Sequence, residues 1–507
     1  MERVPKADNA NILTQTKQKM IYLKQQSAKK ITYISLGALI LGHLMIPTNL
    51  PISFIGFLLT ATLVYYFTLG RNDVFSFIMV IYFTNHFNYF DGYGGGFNIV
   101  AFLCVLFFFI DKKRMPIELR SSQKFSTILI YVFLLSSILG WSVNFAGAMH
   151  HLVISIISFT GIILLFIVTS SLYISKIRIT IFLKISIILA FYSLLASANK
   201  YLNIIPFNTP MLPKYALNEM KTVVGGGVLS NSSIYGEQSM LMIILFGTYL
   251  LFSKNRYLSK NILYSGILLS FINVFFSISR SVFILSLVGL ILIIIFQYKV
   301  TLVNIRKQVA TVFLILVSGF LVLQIVNYSG LGFVFERLSQ FDEQYAKSGG
   351  GGFSIDRIFD GSVFGRKESF DLGYDRYHSR DNWLIGYGWG TSDNNRIAFY
   401  VDTSTLQGTS HSQIFAVLFL FGWFGLFSYY GLYFYAIYKS FFISGIKMGE
   451  SFDYRLFAFS LAFILLLFIV NEIKVDSISY QYYFGATIIL LGLSFANINS
   501  FNLIKKH

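Results

Sequence analysis

The chain contains few charged residues, one cysteine and seven prolines. Charged residues make up 12% of its 507 residues, whereas soluble domains carry about 25%. The lone Cys104 excludes an intrachain disulfide and a cysteine-based metal centre within one chain. The sequence also lacks Walker, dinucleotide-binding and His-Glu-x-x-His zinc motifs. These absences argue against a soluble domain, a disulfide-rich scaffold and a nucleotide-driven pump.

Hydrophobic residues make up 55% of the sequence and occur in long runs. A helix needs about 20 mainly apolar residues to cross a bilayer. The pattern predicts an all-α polytopic membrane protein with about fourteen transmembrane helices, several of them short. The predicted spans are roughly 31–47, 50–70, 74–90, 97–110, 125–142, 150–173, 178–197, 237–253, 261–279, 281–297, 308–328, 412–438, 456–471 and 479–497.

The positions of lysine and arginine predict the orientation of these helices. Basic residues cluster near 112–124, 254–260, 299–307 and 439–455, and such clusters prefer the cytoplasmic side. Membrane topology therefore accounts for most of the +17 net charge, so nucleic acid is not an expected partner. The predicted segments are a cytoplasmic basic N-terminus (1–30), helices 1–11 (31–328) with an outward loop (198–236), a large periplasmic loop (329–411), helices 12–14 (412–497) and a cytoplasmic tail (498–507).

The large loop, residues 329–411, is polar and carries a net negative charge. It holds eight basic and eleven acidic residues, and it includes the glycine run 349–352. Long polar loops between helices usually have a function of their own. The outward face of the protein is therefore where we expect its chemistry.

Arg280 is the first candidate for that chemistry. It lies in Ser279-Arg-Ser281, between two apolar runs with almost no loop. An arginine on the outward side opposes the positive-inside trend, which favours an anion-binding role facing a cavity. The alternative is an arginine that extends its charged end to the lipid interface.

His411 and Glu237 are two candidates for proton transfer. His411 directly precedes an apolar run, and its alternative role is that of an ordinary surface histidine at a helix start. Glu237 follows the small-residue loop 225–233 and is expected to open a helix. There it could act chemically or only interact with the helix dipole.

A third feature is the motif Leu384-Ile-Gly-Tyr-Gly-Trp-Gly390, about twenty residues after Arg366. Gly386, Gly388 and Gly390 would let the backbone approach a ligand or another helix closely. The alternative is a simple cluster of turns.

Taken together, these motifs resemble the O-antigen polymerase and O-antigen ligase superfamily of bacterial membrane glycosyltransferases. The resemblance covers roughly residues 215–440 and rests on the order and spacing of Ser279-Arg-Ser281, Arg366, the glycine motif, His411 and Gly422-Trp-Phe-Gly425. The segment Tyr235-Gly-Glu-Gln-Ser239 is similar to that of the polymerases. Two positions differ: Lys221 stands where many relatives have arginine, and Ser412 where asparagine is common.

The resemblance implies a fold like that of the lipid-carrier-dependent (C-type) glycosyltransferases and a location in the bacterial inner membrane. The implied reaction is polymerisation of O-antigen or capsule repeat units, with glycan transferred from undecaprenyl pyrophosphate to a lipid-linked acceptor on the periplasmic face. Arg280, Arg366 and Lys221 would bind pyrophosphate, and His411 would act as the base, with Glu237 as its rival. No metal ion or other cofactor is expected, and a chain-length regulator is a candidate protein partner. The alternatives are a ligase acting on lipid A core, a lipid-linked oligosaccharide flippase, and a structural scaffold.

Overall fold

The computed structural model describes residues 124–144, 149–202, 232–252, 258–277, 280–296, 384–386, 388, 413–445, 452–473 and 481–504, with five separate residues between 75 and 82. These parts of the chain contain nine helices and no strand. The helices are α1 Lys124–Asn144, α2 Met149–Ser170, α3 Lys176–Leu202, α4 Ser232–Phe252, α5 Lys260–Phe276, α6 Arg280–Phe296, α7 Gln413–Gly445, α8 Phe452–Glu472 and α9 Gln481–Ile504. The all-α prediction is confirmed for these residues.

The chain divides into two compact units. One comprises Met1–Val80 with Pro206–Pro210, and the other Ile81–Ile205 with Met211–His507. All nine helices of the described ranges belong to the second unit. Three of them are long and apolar enough to cross a membrane, along Tyr235–Phe252, Tyr454–Glu472 and Phe484–Asn502. Shorter apolar stretches occupy Ile128–Gly140, Phe159–Ser170 and Val282–Ile293. The count of about fourteen spans and the outward loop stay predictions.

The helices form because an apolar environment leaves the backbone only its own hydrogen bonds. Buried hydroxyl side chains follow the same rule and donate to carbonyls one turn earlier on their own helix. The Oγ1 atom of Thr248 donates to the Ile244 carbonyl at 2.7 Å, and the Oγ atom of Ser286 donates to that of Val282 at 2.7 Å. Thr248 and Ser286 are therefore accommodated inside the bundle by hydrogen bonds within their own helices.

Two central helices organise the bundle. Helix α4 packs against α3, α5, α6 and α8, and α8 also packs against α7 and α9. Helix α7 contacts α1 on its other side, and α9 contacts α2. The core between α1, α2, α7, α8 and α9 is rich in aromatic rings, including Phe133, Phe159 and Phe421. The rings of Phe133 and Phe421 lie 4.3 Å apart between centroids.

The outer face of α7 carries a stripe of exposed aromatic side chains. Its members recur every three, four or seven residues, so they share one side of the helix. They are Phe424, Phe427, Phe434, Tyr438 and Phe442, all more than half exposed. A large exposed apolar stripe marks a surface that another apolar phase covers. Together with the apolar spans, it indicates a membrane protein with this face towards lipid.

Candidate functional site

The predicted site residues fall into two groups. Lys221, Arg366, Gly390 and His411 lie outside the residues that the structure describes. Glu237, Gly386 and Gly388 are described in full, and Arg280 is described as the first residue of α6. The geometry of the site is therefore built from the second group and its neighbours.

Glu237 lies in the second turn of α4, because that helix begins at Ser232. The prediction that Glu237 opens its helix was wrong, and no acidic residue occupies the first turn. Ser232 and Ser233 lie in the predicted small-residue loop 225–233, but they belong to the first turn of the helix instead. Since dipole effects fade within the first turn, the helix end does not explain why this carboxylate is there. Its side chain is fully buried inside the bundle.

Polar side chains surround this part of α4 and tie three helices together. The Tyr235 hydroxyl lies within hydrogen-bonding range of the Asn273 side-chain oxygen and, at 3.3 Å, of the Ser193 carbonyl. The Asn273 amide nitrogen donates to the Ala190 carbonyl at 2.9 Å. Helices α3, α4 and α5 are therefore joined by a buried polar network beside Glu237. Such networks are costly to leave unsatisfied and fix one arrangement of the helices.

The turn that carries Arg280 packs against the same part of α4. Helix α5 ends at Phe276 and α6 begins at Arg280, which confirms the tight turn predicted between them. A Cβ atom placed on Gly236 would lie 2.5 Å from the Ser277 Oγ atom and 3.3 Å from a Val282 methyl group. Ser277 and Val282 flank Arg280, and Gly236 directly precedes Glu237. The structure thus brings together two predicted parts of the site, and it does so through a glycine that permits close approach.

The glycine motif contacts a break in helix α7. Gly422 has φ +64° and ψ −168°, a conformation found almost only in glycine, and it interrupts the helix. The Gly388 amide donates to the Leu420 carbonyl at 2.6 Å, and the Phe424 amide donates to the Leu384 carbonyl at 3.4 Å. The motif therefore provides hydrogen-bond partners for backbone groups that lose their helical partners at the break. Where water is excluded, such groups must be paired within the protein.

No side chain fits between the motif and the helix. Gly386 has φ +73°, and a Cβ atom on it would lie 2.4 Å from the Gly422 nitrogen. A Cβ atom on Gly422 would lie 2.3 Å from the Leu384 carbonyl oxygen. Of the two uses predicted for the glycines, close approach to a ligand or to another helix, the structure shows the second. The motif therefore packs directly against the break in α7.

A second buried carboxylate, Glu472, was missed in the sequence. It is the last residue of α8 and is fully buried. The Tyr429 hydroxyl of α7 donates to its Oε1 atom at 2.9 Å, and the Gln413 amide nitrogen donates to the Tyr429 hydroxyl at 3.2 Å. The predicted span 456–471 ended just before Glu472, and no role was assigned to this residue. The available signal was that an ionisable side chain inside a membrane helix marks a functional site by default.

The two polar networks meet at α7. The Tyr433 hydroxyl lies 3.2 Å from that of Tyr429. Tyr235 of α4 packs in the same core as Tyr429 and Tyr433. The start of α4, the turn at Arg280, the glycine motif and the start of α7 thus form one connected region.

A comparison with known protein families covers part of this region. Residues 265–430 match the O-antigen ligase family. The matched segment contains Arg280, Arg366, the glycine motif, His411 and the break at Gly422. The O-antigen ligase match therefore supports the O-antigen polymerase and ligase superfamily and a glycosyltransferase-like function in polysaccharide biosynthesis. No curated protein matches the chain.

Proposed function

We propose that the chain is a polymerase of surface-polysaccharide repeat units, which transfers a growing glycan from undecaprenyl pyrophosphate to a lipid-linked acceptor repeat. The observation that carries the proposal is the packing of the Arg280 turn against the start of α4, next to Glu237. It joins the serine-arginine turn inside the O-antigen ligase match to the polymerase-like segment Tyr235–Ser239 outside it. The site would lie on the periplasmic face of a bacterial inner membrane.

The reaction needs anion stabilisation and a base. An acceptor hydroxyl attacks the anomeric carbon of the donor sugar, and the bond from that carbon to the pyrophosphate oxygen breaks. The electron pair of that bond goes to the pyrophosphate, where arginine can bind phosphate oxygens through two parallel hydrogen bonds. We assign this role to Arg280 and Arg366, with Lys221 in support. Metal independence stays a prediction, and so does the chain-length regulator as a partner.

The hydroxyl proton goes to the base, for which we favour His411 over Glu237. Glu237 is fully buried in the second turn of α4, so a hydroxyl that arrives from outside has no direct approach to it. His411 lies two positions before Gln413, the first residue of α7. A neutral imidazole is suited to accept a proton near neutral pH. Glu237 would then support the site from inside the bundle.

The assignment of the base can be tested with purified protein and a synthetic lipid-linked repeat, read as a ladder of product lengths on a gel. We expect His411→Ala to lose about 100- to 10,000-fold in turnover, the usual contribution of a general base, while it still binds the donor. His411→Gln should do no better, and Glu237→Gln should keep partial activity. A full ladder from His411→Ala beside none from Glu237→Gln would reverse the assignment.

The ligase activity named by the matching family is the second candidate function. The two reactions share the donor and differ in the acceptor. The same purified protein, given the lipid-linked donor with either a second lipid-linked repeat or lipid A core, decides between them. A ladder formed with the repeat supports the polymerase. A single product formed only with lipid A core supports the ligase.

The outward placement of the site is a separate prediction. The lysine and arginine asymmetry places residues 111–124 and 439–455 in the cytoplasm and 329–411 outside. Single cysteines at Ser122 and Ser392, introduced in a background without Cys104, should therefore react oppositely with an impermeant thiol reagent. We expect labelling of Ser392→Cys in intact cells and of Ser122→Cys only after the membrane is opened. Labelling of Ser122→Cys from outside would contradict the topology.

A further inference from the structure

Burial of the Glu472 carboxylate costs free energy of desolvation. The carboxylate is fully buried where α8 ends, among α4, α7 and α9. A charge in the membrane interior is rare and is usually retained for a function. An amide of the same shape would accept a hydrogen bond with a much smaller desolvation cost. The presence of an acid here therefore calls for a role that a neutral side chain fills less well.

The hydrogen bonds show what the carboxylate holds. Glu472 accepts from the Tyr429 hydroxyl, and that hydroxyl accepts from the Gln413 amide nitrogen. All three side chains are buried, and the chain of bonds runs from the end of α8 to the first residue of α7. Hydrogen bonds in a buried chain of this kind strengthen one another, so each side chain helps to hold the next.

We propose that Glu472 is a positioning residue of the glycosyl-transfer site, which acts through Tyr429 to hold Gln413 and so fixes the start of α7. The inference rests on the proposed function, in which His411, two positions before Gln413 in the sequence, is the base. The break at Gly422 separates the first residues of α7 from the longer part of the helix that follows it. The helix alone therefore does not fix the orientation of those first residues. The short part before the break is held by the backbone bond from Gly388 to Leu420 and by side-chain contacts such as this chain of bonds.

The test compares turnover and donor affinity in variants of this chain of bonds. The full-length protein is purified, and kcat and KM are measured with a synthetic lipid-linked repeat. We expect Glu472→Ala, Tyr429→Phe and Gln413→Ala each to lower kcat about 10- to 100-fold, the loss typical when a supporting partner of a catalytic group is removed. KM should stay at its wild-type value, because none of the three residues is assigned to the donor. Glu472→Gln should lose less, since its amide oxygen still accepts from Tyr429.

Two further variants separate positioning from general damage to the bundle. Ser440→Ala removes an equally buried bond between α7 and α9, to Ser494 at 2.8 Å, far along the helix from Gln413. It should keep the wild-type kcat. The double variant Glu472→Ala with Tyr429→Phe should be no slower than the slower single variant, because both act through one chain of bonds.

Several results would overturn the proposal. One is a wild-type kcat for both Tyr429→Phe and Glu472→Ala, and another is a loss that appears in KM instead of kcat. An equal loss in Ser440→Ala, or additive losses in the double variant, would show only a weakened bundle. If Glu472→Ala does not yield folded protein, Tyr429→Phe decides, because phenylalanine fills nearly the same space. Failure of the wild-type protein to extend a lipid-linked repeat would instead contradict the proposed function itself.

Discussion

Replacing Arg280 with alanine is expected to reduce polymer formation about 100- to 1,000-fold, because loss of one donor to developing negative charge costs about 2.7–4 kcal/mol. Arg280 begins α6 in the turn that packs against the start of α4, so it lies beside the proposed transfer site. Lysine should rescue poorly, since an ammonium group lacks the two-pronged geometry of a guanidinium. We expect the same result for Arg366→Ala. The measurement is the length distribution of surface polymer at matched amounts of membrane-inserted protein.

Lys439→Ala provides the matched control for this loss of positive charge. Lys439 lies on α7 over the rings of Tyr435 and Tyr438, near the end of the helix that is predicted to face the cytoplasm. The variant removes one cation from the other side of the membrane and should leave polymer formation unchanged. If cells with Arg280→Ala make long polymer at the normal level, Arg280 only extends to the lipid interface, and the pyrophosphate assignment is wrong.

Gly422→Ala is expected to have the largest effect on the structure itself. Alanine at φ +64° and ψ −168° costs about 1–3 kcal/mol in backbone strain. In addition, its Cβ atom would lie 2.3 Å from the Leu384 carbonyl oxygen, which belongs to backbone and not to a movable side chain. We expect a lower unfolding temperature of the purified protein and loss of polymer formation. Gly386→Ala should have the same effects, because its Cβ atom would clash with the Gly422 backbone from the other side of this contact.

A second glycine on the same helix provides the comparison. A Cβ atom on Gly431 would meet only the end of the Leu129 side chain, at 3.3 Å. That contact can relax, so Gly431→Ala should keep the unfolding temperature close to that of the wild type. If Gly422→Ala is as stable and as active as Gly431→Ala, the close contact between the glycine motif and α7 is not required.

The apolar runs predicted the helices well where a turn is marked by polar residues. The boundary between α5 and α6 was predicted because Ser279-Arg-Ser281 interrupts two apolar runs. The start of α4 was placed too late, because serine and asparagine favour loops and helix starts alike. Helix α7 extends to Gly445, beyond the predicted end near 438, since Lys439 is tolerated within it.

Contacts between distant residues could not be predicted in this way. The glycines of the Leu384–Gly390 motif indicated a close approach of the backbone, but its partner, Gly422, became visible only in three dimensions. The bond between Tyr429 and Glu472 likewise joins two helices, and hydrophobic periodicity reports only which segments are helical. Sequence reasoning therefore singled out Glu237 and the turn at Arg280, which the structure packs together, but not Glu472.

The contact between the glycine motif and the broken helix couples Leu384, Gly386 and Gly388 to α7 through backbone atoms. A chimera that takes the motif from a relative and keeps this α7 would join two backbones shaped for different partners. An exchange boundary placed after Gly445 would keep the two contacting segments together, whereas one near residue 411 would separate them.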